Sequence, residues 1–207
     1  MRVFPYGTDD PRENVAADTA IFEALERAEG DETLAVWESR RPAVVVGRFG
    51  RIDREVDEPA CGADQVPVVR RTSGGGAVLI GPGCLTYALV LSLEARPALR
   101  DVARSYDLIL GWVAGALGVP GLRRAGASDL VLGDRKIGGS AQRRGRRALL
   151  HHGTVLYAFD AAAMERYLKP PLRQPAYRAN RPHAAFVMNV PLEPSLVTDA
   201  LARRAAV

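Results

Sequence analysis

The chain is poor in the residues that build metal sites and thiol chemistry. Its 207 residues include two cysteines, Cys61 and Cys84, and three histidines, His151, His152 and His183. The cysteines have no metal-type spacing, and nothing calls for a disulfide. Cys61 lies in a polar stretch, while Cys84 opens an apolar one, which favours packing over reactivity. No apolar run approaches the ~18 residues needed to span a bilayer. The opening, Arg2 to Arg12, is polar and proline-broken, unlike a secretion signal. No membrane association is expected, and the cytoplasm is the expected location. A net charge of +4 is compatible with phosphate-bearing ligands but too mild to imply nucleic-acid binding, which is not expected.

An apolar fraction of 47% and a charged fraction of 25% are those of an ordinary globular protein, and the length suits one domain over residues 1–207. Periodicity predicts a helix over Glu13–Glu29 that ends at Gly30. Thr33–Trp37 and Ala43–Val46 read as paired strands around Arg40-Arg41-Pro42. Ile52–Gly62 reads as a short helix plus loop, and Val66–Arg71, Ala77–Ile80 and Cys84–Leu93 read as strands. A helix follows over Pro97–Leu117 with Gly118 as its stop. Asp129–Leu132, Lys136–Gln142 and Ala148–Leu156 form successive strands. Ala161–Leu168 is a short helix, Lys169–Pro182 an irregular loop and Ser195–Ala206 a terminal helix. This order predicts an α+β fold with a mixed, largely antiparallel sheet flanked by helices.

Two stretches carry chemistry. In Arg70-Arg71-Thr72-Ser73-Gly74-Gly75-Gly76-Ala77 a strand breaks into three glycines and resumes. Each glycine costs roughly 0.5–1 kcal/mol relative to alanine inside regular structure. The usual return is close approach of the backbone, with bare N–H groups as donors. The residues alone leave two readings open, a glycine-rich turn between strands and an anion cradle flanked by guanidiniums. Gly47-Arg48-Phe49-Gly50 is another glycine-flanked cation. Neither glycine run is a dinucleotide fingerprint or a P-loop. The second stretch runs from Ser128 to Thr154. Lys136 precedes Gly138-Gly139-Ser140-Ala141, and His151-His152-Gly153-Thr154 puts polar groups into an apolar strand, so that one histidine is expected to face inward. Arg143, Arg144, Arg146 and Arg147 are expected at a solvated hairpin tip. Ser73 and Ser140 lack a nucleophile-elbow setting. Lysine, arginines and stacked amides suit the charge of a phosphoryl or acyl-phosphate transition state better than covalent catalysis.

Together, RRTSGGGAV, DLVLGDRKIGGSAQ and HHGTVL, with ENVAADTAIFEAL before them, resemble the catalytic domain of lipoate-protein ligases, whose fold is shared with biotin ligases and octanoyltransferases. The likeness covers roughly residues 13 to 190. It implies activation of lipoate or octanoate by ATP and Mg²⁺ to an acyl-adenylate. The acyl group then passes to a lysine of a lipoyl domain of a 2-oxoacid dehydrogenase or of glycine-cleavage H protein. By the same resemblance, Lys136 contacts carboxylate and α-phosphate oxygens, and Asp129 helps hold Mg²⁺. Arg71 and the Ser73–Gly76 backbone line the acyl and phosphate site, which His151 or His152 borders. The full set expected to bind substrate and adenylate is Arg48, Arg70, Arg71, Ser73, Gly74, Gly75, Gly76, Ala77, Gly138, Ser140, Ala141, His151, His152, Gly153 and Thr154.

The chain departs from the family pattern at Ile80, Gly81 and Cys84, where many ligases carry a His-Asp pair and an Asn, and at Ser128. Octanoyltransferases of this fold use a cysteine, either before the lysine motif, where this chain has Arg124-Ala125-Gly126-Ala127, or nearer the C-terminus. Neither place holds one here, so an ATP-independent transferase is the alternative, with a non-catalytic binding module as a third reading. With no further domain expected after residue 207, either a separate accessory subunit completes the reaction or the domain acts alone.

Overall fold

The computed structural model describes residues 1–171 and 173–205. In order it contains β1 (Arg2–Pro5), α1 (Pro11–Glu26), β2 (Thr33–Glu38), β3 (Ala43–Val46), α2 (Ile52–Glu55), α3 (Glu58–Ala63), β4 (Val68–Arg70), β5 (Val78–Ile80) and β6 (Cys84–Ser92). There follow α4 (Val102–Leu117), β7 (Leu122–Ala125), β8 (Asp129–Leu132), β9 (Arg135–Arg144), β10 (Ala148–Leu156), α5 (Ala163–Tyr167), α6 (His183–Phe186) and α7 (Pro194–Ala205). Leu172, within the expected loop, and Ala206, at the end of the expected last helix, lie outside the described residues.

Seven strands form the main sheet in the order β1-β2-β6-β10-β9-β8-β7, antiparallel except where β1 runs parallel to β2. Strand alternation sorts side chains to two faces. Leu34 and Val36 of β2, Leu85, Tyr87 and Leu89 of β6, and Leu149 and Val155 of β10 pack with Ile109, Val113 and Leu117 of α4 and Leu201 of α7. The other face is built from smaller residues, Ala35, Ala88, Val90 and Ala148, with Leu150, and these let α1 seat Phe22 against the strands. Both long helices are capped as their sequences suggest. Asp10 accepts from the Arg12 amide and Asp101 from the Arg104 amide, while Gly118 closes α4 in the left-handed conformation at φ 66°. A second sheet, ordered β4-β3-β5, carries another core that includes Val44, Val46, Val69, Leu79 and Ile80.

The expected α+β class with a largely antiparallel sheet holds, and four local expectations do not. The helix expected over 13–29 runs from Pro11 to Glu26 and ends before Gly30, with Arg27 at its C-cap. Thr33–Glu38 and Ala43–Val46 are not a hairpin, because β2 joins the large sheet and β3 the small one. Strand β1 forms in the stretch read as polar and irregular. Its four residues are mostly exposed and add to one edge, so no apolar alternation marks them. The expected 97–117 helix begins as a 3-10 turn over Pro97–Arg100, and Asp101 then caps a new start. Among the described residues no helix is long and apolar enough to cross a membrane.

Candidate active site

The topology of the small sheet settles what the glycine stretch is. Strands β4 and β5 lie on opposite sides of β3, parallel and antiparallel to it, so residues 71–77 do not close a hairpin. They cross over the end of β3, and glycine is what permits the crossing. A Cβ on Gly47 would collide with the Gly75 carbonyl, and Gly75 itself adopts φ +90°, which L side chains rarely tolerate.

Both arginines brace this loop. The Arg71 amide donates to Val46 O at 2.9 Å, and its buried guanidinium donates to Val45 O, Ser73 Oγ, Gly74 O and Gly76 O. Burial lowers its pKa to about 10, which leaves it cationic at neutral pH. Arg70 Nη1 donates to the carbonyls of Gly47, Arg48 and Gly50. The Arg71 guanidinium is thus spent on its own loop, and Arg70, which is exposed, ties one of its nitrogens to chain carbonyls. What the loop leaves free are amides. Among the described residues Gly74, Gly75 and Gly76 donate to no protein acceptor, and Gly75 and Gly76 are exposed. Glu55 fixes the loop's exit by accepting from the Ala77 amide at 2.7 Å. Arg48 is tied in through its amide, which donates to Ser73 O at 2.8 Å.

Strand β9 supplies the facing wall. Lys136 Nζ lies 2.7 Å from Asp129 Oδ1, and Tyr177 donates its hydroxyl to Asp129 Oδ2 at 2.6 Å. Gly139 makes room for the lysine, because a Cβ there would sit 2.6 Å from Nζ; one on Gly138 would strike the Thr154 carbonyl. Ser140 braces the start of β8 by donating from both amide and hydroxyl to Ser128 O, each at 2.9 Å. The Thr154 hydroxyl accepts from the Gly139 amide at 3.4 Å. Ala141, two residues beyond Gly139 on the same face, meets the glycine loop: a Cβ on Gly75 would be 4.0 Å from that of Ala141.

The two adjacent histidines part company. His152 lies on the α1 face of the sheet, with Nε2 2.6 Å from Ser73 Oγ and Nδ1 3.5 Å from Asp18 Oδ2. His151 points the other way, fully buried between Tyr87 and Tyr106, with Nδ1 3.0 Å from Gln142 Nε2. Burial, and then the neighbouring His152, depress its pKa to about 3, so it stays neutral. Of the two, His152 reaches the glycine loop, through Ser73. Gly153, beside it, leaves space for Tyr87, whose hydroxyl would be 2.6 Å from a Cβ. Asp18 and Tyr177 were not anticipated from sequence. Asp18 sits in a helix read as an apolar stripe, and Tyr177 in a segment read as irregular.

The expectation that Asp129 holds Mg²⁺ does not fit this geometry. One of its oxygens pairs with an ammonium and the other accepts from a phenol that burial and Asp129 keep protonated. Among the described residues no group of three His, Cys, Asp or Glu side chains could hold a metal. Neither thiol belongs to the cleft. Both cysteines are buried in the core under the small sheet. Burial pushes Cys61 up and, with Glu38 adding to it, Cys84 to about 12.

Unpaired loop amides beside a strand that carries a lysine are the kind of donor set that acyl and phosphoryl transfer uses to hold anionic oxygens. The sequence profile of the lipoyl protein ligase A/B catalytic domain matches residues 10–196, and the chain belongs to that family. Octanoyltransferase LipM of Exiguobacterium sp. (strain ATCC BAA-1283 / AT1b) is 35% identical over 176 residues, covering 72% of this chain. The chain spans 63% of that relative's length. A lipoate-protein ligase A bound with ATP superposes with TM-score 0.82 at 23% identity, over 99% of this chain and 83% of that one. A bipartite lipoate protein ligase of Thermoplasma acidophilum, solved in a study of that ligase and its E2 lipoyl domain, gives TM-score 0.74 at 22% identity, over 99% and 82%. The fold and the family resemblance carried by the three motifs are thus borne out.

Proposed function

We propose that the chain is a lipoate- or octanoate-protein ligase that proceeds through an acyl-adenylate. The observation that carries this reading is the pairing of a cationic, amide-lined cleft with two thiols buried outside it. In the first half-reaction a carboxylate oxygen of the fatty acid attacks the α-phosphorus of ATP and pyrophosphate leaves. The amides of Gly74, Gly75 and Gly76 hold phosphate oxygens, and Lys136, keeping one N–H on Asp129 and turning its others to the substrate, neutralises the carboxylate and α-phosphate. In the second half-reaction a lysine amine of the acceptor attacks the carbonyl of the mixed anhydride, AMP leaves with the electron pair of the broken C–O bond, and the amine loses a proton. Lys136 polarises that carbonyl, while the cleft supplies proximity.

The acceptor is a lipoyl domain or glycine-cleavage H protein. The bipartite ligase among the structural relatives supports a role for a separate accessory subunit, and ATP as cosubstrate suits a cytoplasmic location. The test is acid-dependent exchange of pyrophosphate into ATP, run with and without candidate accessory proteins. Exchange that requires lipoate or octanoate is the expected result. Its absence beside rapid transfer from an acyl thioester would remove the reading.

A second reading, an ATP-independent octanoyltransferase, is favoured by the 35% identity to LipM. If it used a cysteine thioester, one of two core thiols would have to come to the cleft. A trapped acyl group on Cys61 or Cys84 would establish it.

A further inference from the structure

The pair of residues just described as Ser73 and His152 continues inward. Asp18, only 2% exposed, receives the Tyr6 hydroxyl at 2.6 Å and the Trp37 indole N–H at 3.2 Å, both on Oδ1. Its other oxygen, Oδ2, lies 3.5 Å from His152 Nδ1. A carboxylate so deeply buried demands donors, and this demand falls on the imidazole. With Nδ1 carrying the proton toward Asp18, a neutral His152 presents a bare Nε2 to Ser73 Oγ, 2.6 Å away. The Ser73 hydroxyl hydrogen is then committed to His152. Its oxygen remains free to accept from Arg71 Nε at 3.1 Å, and the Ser73 carbonyl accepts the Arg48 amide. Helix α1 is thereby linked, through the 3.5 Å Asp18–His152 contact and the Ser73–His152 hydrogen bond, to the residue on which the glycine loop turns.

We propose that Asp18 is a positioning residue that fixes the His152 tautomer, and through Ser73 the conformation in which the Gly74–Gly76 amides face the cleft. It touches neither substrate nor reacting atoms. The assignment deepens the proposed ligase reading, on which its catalytic consequence rests, but its structural half stands alone. Asp18→Asn is a pointed perturbation. Tyr6 and Trp37 both donate to Oδ1 and so retain the carbonyl oxygen of the amide. The new NH₂ then faces Nδ1 and turns it from donor into acceptor. Nε2–H follows, and the Ser73 hydroxyl must reverse or let go.

The experiment is a ¹⁵N spectrum of imidazole-labelled protein, taken at the alkaline plateau of a pH series and assigned by the loss of one signal in His152→Gln. The wild type should show Nδ1 protonated and Nε2 bare, the reverse of the tautomer favoured by a free histidine side chain, and Asp18→Asn should invert it. In the ligase assay the same variant should lower kcat for adenylate formation by on the order of tenfold, with a smaller change in KM for the fatty acid. Nε2–H in the wild type overturns the assignment, even if Asp18→Asn fails to fold. An unchanged tautomer in a folded Asp18→Asn overturns it as well. A correct tautomer in a protein that never exchanges pyrophosphate instead removes the ligase reading and leaves the role of Asp18 intact.

Discussion

Lys136 is held in reserve by Asp129, and that arrangement makes two residue-level predictions. Lys136→Met keeps the aliphatic stem and deletes the charge. Adenylate formation should fall by roughly 10²-fold or more, the scale of removing one group that stabilises developing charge, while the thermal midpoint stays within a few degrees. An unimpaired Lys136→Met enzyme would show that the lysine is a turn residue with no chemical role. Asp129→Asn addresses the metal. Because both carboxylate oxygens are committed to Lys136 and Tyr177, the variant should lower the rate yet leave the Mg²⁺ concentration for half-maximal activity unchanged. A shift of tenfold or more in that concentration would restore Asp129 as a metal ligand. At this scale the motifs pointed to Lys136, the three glycines and the His151-His152 pair, which the structure separates onto opposite faces of the sheet. The sequence was not legible at Asp18 or Tyr177, since their partners lie 134 and 48 positions away and no spacing rule links them. The arginines show the opposite error. Their charge pointed to a ligand, but burial turned Arg71 inward onto carbonyls.

Elements set the width of the cleft. The crossing of residues 71–77 over β3 needs Gly47 as much as the three consecutive glycines, because the Gly75 carbonyl sits where a Gly47 side chain would begin. Gly47→Ala should displace the loop and destabilise the fold by about 1–3 kcal/mol. That would appear as a thermal midpoint several degrees lower and loss of most adenylation activity. Wild-type activity in Gly47→Ala would mean that the loop has room the structure does not provide. Sequence alone placed nearly every element but mispaired two of them. A strand, a four-residue connection and another strand look alike whether they form a hairpin or enter different sheets, and only the two cores decide which. The β9–β10 turn carries a related lesson. It reads as a solvated cluster of arginines, yet Arg143 stacks on Phe22 and pairs with Glu23, Arg144 donates to the carbonyls of Leu99 and Arg100, and Glu26 accepts the amides of Arg146, Arg147 and Ala148. The backbone of the turn is clasped by α1, while the Arg146 side chain stays exposed.

At the scale of the whole molecule, the buried His151 couples stability to pH. Its pKa is about 3 when folded against an ordinary value of 6.5, so the unfolded chain binds the proton first. Stability is fully present above about pH 6.5 and falls as pH drops toward 3, with a slope approaching roughly 1.4 kcal/mol per pH unit from this group. Chemical denaturation of His151→Gln across that window should give a flatter profile than the wild type; identical slopes would show that His151 is protonated without penalty in the folded state. The central claim concerns the reaction itself. Intact-mass spectrometry of an apo lipoyl domain tests it most directly, the domain being incubated with this protein, with candidate accessory proteins present, and either free lipoate plus ATP and Mg²⁺ or an octanoyl thioester alone. The account predicts acylation of one lysine in the first mixture and none in the second. Acylation from the thioester without ATP, with none from the free acid, would contradict it.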